Sequence, residues 1–68
     1  MLIEPDYRGY RIEVYADGLQ GEWGAVVRIV NKATSHVERV RCRKATPDEA
    51  ERWAMNWAKR WVDPNGGG

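Results

Sequence analysis

A row of tryptophans near the C-terminal end of the chain restricts the folds open to it. The segment ERWAMNWAKRW, residues 51–61, contains Trp53, Trp57 and Trp61, each one helical turn from the next. With the alanines between them, these residues form the apolar stripe of an amphipathic helix. Such a stripe has to pack on a second layer of structure. We therefore expect the three rings to be core residues, with Trp57 the most buried, and a ligand-stacking platform is the alternative.

Capping signals on both sides of this stripe predict a helix over residues 47–62. Thr46 is a favourable N-cap residue, and Pro47 suits the first position of a helix. The pair Asp63-Pro64 is expected to end the helix, since the residue before a proline disfavours helical geometry.

Three segments before the helix alternate between apolar and polar residues, as half-buried strands do. They are YRIEVYA (10–16), EWGAVVRIV (22–30) and VERVRCRK (37–44), and turn or loop residues separate them. The short connections favour antiparallel neighbours. The expected fold is α+β, a two-layer β-β-β-α arrangement in which a three-stranded antiparallel sheet carries one C-terminal amphipathic helix on one face.

The length and composition of the chain indicate one small cytoplasmic domain. Its 68 residues leave room for a single domain, 1–64, followed by a glycine-rich flexible tail, 65–68. A single cysteine, Cys42, cannot form an intramolecular disulfide, which favours a reducing compartment. No apolar run approaches the ~20 residues that cross a bilayer, so we expect no membrane association.

Basic residues are concentrated in the middle of the chain, although the net charge is only +1. Residues 1–27 carry five acids and two bases, and residues 28–44 carry six bases and one acid. Residues 45–68 return to four acids and three bases. A partner that responds to charge would therefore meet the protein mainly through the middle segment.

The sequence contains no recognisable catalytic or metal-binding pattern. His36 is the only histidine and falls in a predicted loop, so a solvated side chain is expected rather than a metal ligand. Cys42 has no base beside it and is expected to be a structural residue. The glycines do not form a phosphate-binding loop. We expect a protein that is not an enzyme and has no cofactor.

The sheet face opposite the helix is the predicted working surface, because no second helix exists to cover it. Alternation places on it the candidate binding residues Arg11, Tyr15, Val26, Arg28, Arg39, Arg41 and Arg43. The leading expectation is a protein-interaction surface that binds another protein or a second copy of the chain as a homodimer, because Val26 and Val30 suit apolar contact. Two alternatives remain open, a face exposed only to solvent and a face that binds nucleic acid. If five arginines contact phosphates, a plot of log affinity against log salt concentration should have a slope of about −4.

The helix carries the residues of a known pattern. TPDEAERWAMNWAKRWVD, 46–63, has the form T-x-x-E-A-x-x-x-A-x-x-W-A-K-x-W-[IV]-D. With YRGYRIEV and a tryptophan in the second strand, it resembles a group of small uncharacterised bacterial β-β-β-α proteins over about residues 7–63. The resemblance implies the fold and carries no activity.

A second resemblance covers a shorter segment. TPDEAERWA, 46–54, together with the strand order, is similar to the AP2-like N-terminal DNA-binding domains of phage and transposon integrases. In those domains the strands enter the major groove. The resemblance therefore implies DNA contacts from Arg11, Arg28, Arg39, Arg41 and Arg43.

Overall fold

The computed structural model describes residues 1–66, which form one antiparallel sheet with one helix packed on it. The strands are β1 (Leu2–Tyr7), β2 (Tyr10–Leu19), β3 (Glu22–Val30) and β4 (Ser35–Lys44), and the helix is α1 (Pro47–Gly66). The strand order in the sheet is β1-β2-β3-β4. The α+β class and the C-terminal helix are confirmed. The expectation of three strands is wrong, because the sheet has four.

The additional strand, β1, is joined to β2 by a turn of two residues. Arg8 and Gly9 have φ angles of 52° and 86°, and two-residue hairpin turns of type I′ require a positive φ at both positions. Tyr7 and Tyr10 are paired on either side of this turn. The strand was not predicted because it contains Pro5, and proline within a sheet is confined to edges and bulges. The register of β1 against β2 shifts around this proline.

The loop between β3 and β4 is shorter than the sequence suggested. Asn31 Oδ1 accepts a hydrogen bond from the backbone N–H of Thr34 at 2.6 Å, and this side-chain turn returns the chain within four residues. Consequently β4 begins at Ser35. The placement of His36 in a solvated loop is wrong, since His36 lies within the strand.

The helix begins where the capping signal predicted. The backbone N–H of Glu49 donates to Thr46 Oγ1 at 3.2 Å, which satisfies one of the free N–H groups of the first turn. The helix continues past Asp63 and Pro64 to Gly66, because a proline in the last turn removes only one hydrogen bond. The predicted tail, 65–68, therefore overlaps the helix end, and 67–68 lie outside the described residues. Within residues 1–66, no helix is apolar enough over a sufficient length to cross a membrane.

The core lies between the sheet and a helix face made mainly of small side chains. Ala54, Ala58 and Val62 are fully buried against the sheet. Alanines let the helix backbone approach the strands closely, so the β-branched residues of the sheet fill the space between the layers. The core residues of the sheet are Tyr10, Ile12, Val14, Ala25, Val27, Ile29 and Val40.

The tryptophans border this core and do not form it, which corrects the sequence expectation. Trp53 is 41% exposed, and Trp57 and Trp61 are only partly buried against the core. The reason is geometric. At about 100° per residue, each tryptophan lies about 100° around the helix from the fully buried residue that follows it, and a step of four residues turns the row by about 40° toward the sheet with each tryptophan. Of the three, Trp53 lies furthest around the helix, where Lys44 Nζ stands 5.9 Å from its ring centre.

The C-terminal part of the helix is held by contacts to the β1–β2 hairpin and to β4. The Tyr7 hydroxyl donates to Asp63 Oδ1 at 2.7 Å, and Lys59 Nζ lies 5.4 Å from the Tyr7 ring centre. The Trp61 ring stacks on His36 at 4.9 Å between centres and meets Tyr10 edge-on at 6.4 Å. The residues of the WAKRWVD pattern therefore have structural roles, because they fasten the two layers together.

Candidate interaction surface

Strand register brings the predicted residues together on the face of the sheet that the helix leaves uncovered. Directly paired residues of an antiparallel sheet point to the same face. Tyr15 pairs with Val26, and Val26 pairs with Arg39, so these three form one row across the face. The neighbouring rows are Glu13–Arg28–Val37 and Arg11–Val30–Ser35. We call this surface the open face.

Glu13 occupies the middle of the open face and contacts two of its arginines, so it balances one of their two positive charges. Its carboxylate accepts a hydrogen bond from Arg11 Nε at 2.8 Å and lies 3.6 Å from Arg28 Nη1. The Tyr15 hydroxyl also donates to it, at 3.2 Å. The hydrogen bond from Arg11, followed by that from Tyr15 and the positive charges nearby, lowers the pKa of Glu13 against the opposing effect of desolvation. Glu13 therefore stays ionised.

A second acid neutralises part of the next row. Asp17 Oδ2 lies 3.1 Å from Arg39 Nη2. Asp17 was expected in the turn after the first predicted strand, so this pair was not predicted, whereas β2 continues through Asp17 to Leu19. Arg41 and Arg43 differ from the other arginines of the face, because neither has an acidic partner among residues 1–66.

Apolar side chains are exposed between the paired charges. Ile3 and Tyr15 are each 40% exposed, and Val37 is 60% exposed. Val26 and Val30 are half-buried among them. Ile3 was not predicted to belong to this surface, because β1 was not predicted. It lies opposite Glu13 in the register and extends the row that ends at Val37.

A bulge in β4 forms a shallow groove at one end of the open face. The register between β3 and β4 shifts between Trp23 and Ala25, and Arg43 within the bulge has a φ of 50°. A Cβ built on Gly24 would lie 2.6 Å from the carbonyl oxygen of Val40, so only glycine permits this approach of the two strands. The groove has a volume of about 390 Å³. Its lining includes Asp17, Leu19, Glu22, Arg39, Arg41 and Arg43.

Cys42 and His36, whose side chains could take part in catalysis or bind a metal, make structural contacts instead. Cys42 is half-buried, and its Sγ–H donates to the carbonyl oxygen of Trp23 at 3.6 Å. His36 stacks on Trp61 and contacts Glu38 Oε1 at 2.9 Å. No group of three histidine, cysteine, aspartate or glutamate side chains in the described part of the chain could hold a metal ion. The open face consists of ion pairs, exposed apolar side chains and the arginines Arg41 and Arg43.

No protein-family model, no curated protein and no solved structure matches the chain. The resemblances drawn from the helix pattern therefore remain predictions, and the surface has to be interpreted from its own geometry.

Proposed function

We propose that the chain is a non-enzymatic interaction module whose open face binds protein, with a second copy of the chain as the partner. The observation that carries the proposal is the pairing of charges on this face. Arg11, Arg28 and Arg39 already contact Glu13 or Asp17. Exposed apolar side chains lie between these pairs.

Paired charges make the surface easier for another protein to cover. Burying a lone arginine against a partner is costly, whereas an arginine that keeps its carboxylate loses less on desolvation. The exposed parts of Ile3, Tyr15 and Val37 supply apolar area whose removal from water is favourable. A tyrosine beside paired arginines is also typical of the residues that anchor protein interfaces.

A second copy is the partner that this arrangement suits best. A two-fold axis sets the same patch against itself, so a patch that carries both signs of charge can pair with its own copy. The open face has both, with Glu13 in the middle and arginines on either side. A 68-residue chain also has a small core, and covering this face would add buried apolar surface.

Sedimentation equilibrium over a range of concentrations tests the proposal. We expect the average mass to rise above the monomer value of 7.8 kDa at high micromolar concentration. Val37→Asp should return the protein to a monomer, because it places a charge on an exposed apolar side chain of the open face. Asn56→Asp is the matched control, since it adds the same charge at an exposed position of the helix, on the other side of the sheet from the open face. A monomer at every concentration would refute self-association.

Binding of nucleic acid through the same face is the second candidate, and Arg41 and Arg43 favour it. They are the arginines of the face without an acidic partner in residues 1–66. If only these two arginines contact phosphates of duplex DNA, a plot of log affinity against log salt concentration should have a slope of about −2. This slope is shallower than the slope of about −4 expected if five arginines make such contacts. A titration with mixed-sequence duplex at low salt, with and without Arg41→Gln/Arg43→Gln, distinguishes this candidate. Absence of binding at low salt would exclude it, because low salt exaggerates electrostatic attraction.

A further inference from the structure

The two edges of the sheet differ in their capacity to accept another strand. An edge strand presents unpaired N–H and C=O groups, and proteins usually block such edges. β1 is a short edge of six residues, and it contains Pro5 beside its register shift. A strand added next to β1 would meet a missing N–H and a distorted backbone.

A helix residue closes the rest of that edge. β1 pairs with β2 only as far as Val14, so the N–H of Ala16 points beyond the end of β1. Glu51 Oε2 accepts this N–H at 3.0 Å, and Glu51 is only 7% exposed. The buried carboxylate of Glu51 thus takes the place of a neighbouring strand. Pairing on this side of the sheet is therefore hindered at Pro5 and at Ala16.

The opposite edge, β4, is distorted only near its C-terminal end, by the bulge that contains Arg43. It is ten residues long and contains no proline, and within residues 1–66 no strand lies on its outer side. From Ser35 to Val40 it keeps a regular register against β3. A regular, uncovered segment of this length can pair with an extended peptide in the way that many peptide-binding domains do.

The charge of the β4 edge selects the partner. β4 carries Arg39, Arg41, Arg43 and Lys44 against the single acid Glu38. Two β4 strands side by side would bring like charges together, which disfavours a second copy at this edge. An acidic segment is attracted instead, and Arg41 and Arg43 are available to it because they have no acidic partner in the described residues.

We propose that the β4 edge binds an extended acidic segment of another protein as a fifth strand. The segment pairs with the backbone of Ser35–Val40. Side chains of neighbouring strands alternate with the same period, so an apolar residue of the segment lies beside Val37 and its acidic residues lie beside Arg41 and Arg43. The inference goes beyond the proposed function, because it concerns the edge of the sheet and does not require the open face to bind a second copy.

Fluorescence anisotropy with a labelled synthetic peptide tests the charge requirement. The probe is a peptide that carries one apolar residue followed by acidic residues at alternate positions, together with the same peptide in reverse order. Measurements are made at concentrations where sedimentation shows a monomer. We expect one orientation to bind and Arg41→Gln/Arg43→Gln to weaken it about tenfold, as for two exposed ion pairs. The matched control, Arg52→Gln/Arg60→Gln, removes the same charge from exposed helix positions and should leave binding unchanged.

A pair of N-methylated peptides tests the backbone pairing. Alternate N–H groups of a strand point to opposite sides, so methylation of one alternate set should abolish binding while methylation of the other leaves it intact. Equal behaviour of the two peptides would overturn strand addition, and so would equal effects of the two double arginine variants. Displacement by a duplex oligonucleotide, with no difference between the methylated peptides, would assign the edge to nucleic acid instead. Peptide binding by a protein that stays monomeric would remove only the self-association proposal, and a dimer that ignores the peptide would remove only this one.

Discussion

The two faces of one sheet are built from alternate residues of the same strands, yet they have opposite characters. On the covered face, Ile12 and Val14 are fully buried beneath alanines of the helix. On the open face, their neighbours Arg11 and Glu13 form an ion pair in solvent. The covered face is uniform and apolar, whereas the open face mixes paired charges with exposed apolar side chains.

The difference indicates which face holds the fold and which is available for binding. Burial of apolar surface is the main source of stability in a domain this small. Exposed ion pairs contribute little. The charges of the open face therefore contribute little to the stability of the fold, and we propose that they serve binding.

The largest expected difference in unfolding free energy is between the same substitution made on the covered face and on the open face. Ile12→Ala removes methyl groups from a fully buried site and should lower the free energy of unfolding by about 2–5 kcal/mol. Ile3→Ala makes the same change on the open face, where the side chain is 40% exposed, and should cost about 0.5 kcal/mol or less in the monomer. Urea unfolding at low protein concentration measures both. Equal losses would show that the open face also belongs to the core.

The tryptophans at the boundary between helix and solvent should give intermediate effects. Trp61→Ala loses a partly buried ring that contacts His36 and Tyr10, and burial of more than half of a ~200 Å² side chain corresponds to about 2.5 kcal/mol or more. Trp53→Ala should cost less, because Trp53 is 41% exposed and its contact with Lys44 is a surface cation–π pair. Thermal unfolding ranks the two variants. The reverse order would contradict the position of Trp53 as the tryptophan furthest from the sheet.

A smaller effect should appear at alkaline pH on the covered side. The hydrogen bond to Asp63 holds the neutral form of Tyr7 and raises its pKa above the ordinary value of 10.0. A raised folded-state pKa gives stability that is present below pH 10.0 and is lost as the pH rises through the folded-state value. Tyr7→Phe should flatten this alkaline decline in a pH series of thermal midpoints. An unchanged decline would mean that the contact with Asp63 does not stabilise the fold.

The smallest effect should appear at acid pH on the open face. The pKa of Glu13 is lowered below its ordinary value of 4.5, chiefly by the hydrogen bond from Arg11. The stability that Glu13 contributes is therefore present above pH 4.5 and is lost as the pH falls through its folded-state pKa. Glu13→Gln should reduce the acid-side slope of the same pH series. A slope identical to that of the unmodified protein would show that the ion pairs of the open face are energetically neutral.

Most of the fold follows from local patterns in the sequence. Thr46 predicts the start of the helix, and alternation predicts the cores of β2, β3 and β4. β1 escapes this reading because Pro5 and the adjacent bulge interrupt the alternation that marks a strand. The Arg8-Gly9 turn that marks the hairpin contains an arginine at positive φ, where glycine or asparagine is usual.

Except for Ile3, the membership of the open face was predictable, whereas its electrostatics were not. Period-two alternation identifies the side of the sheet on which Arg28 and Arg39 lie. Which acids neutralise them depends on register, and Asp17 reaches Arg39 across β3, from a position that the sequence assigned to a turn. The tryptophan row misled because Ala54, Ala58 and Val62 have the same spacing and face the sheet, which leaves the tryptophans about 100° to one side.

The central claim is that the open face binds and the covered face does not. Two-dimensional ¹H–¹⁵N correlation spectra recorded from low to high micromolar protein concentration test it directly, because each amide reports on its own surroundings. We predict concentration-dependent shifts at Tyr15, Val26 and Val37, with the amides of the helix around Ala54 and Ala58 unchanged. Spectra that do not change with concentration, or shifts centred on the exposed ring of Trp53, would contradict the account.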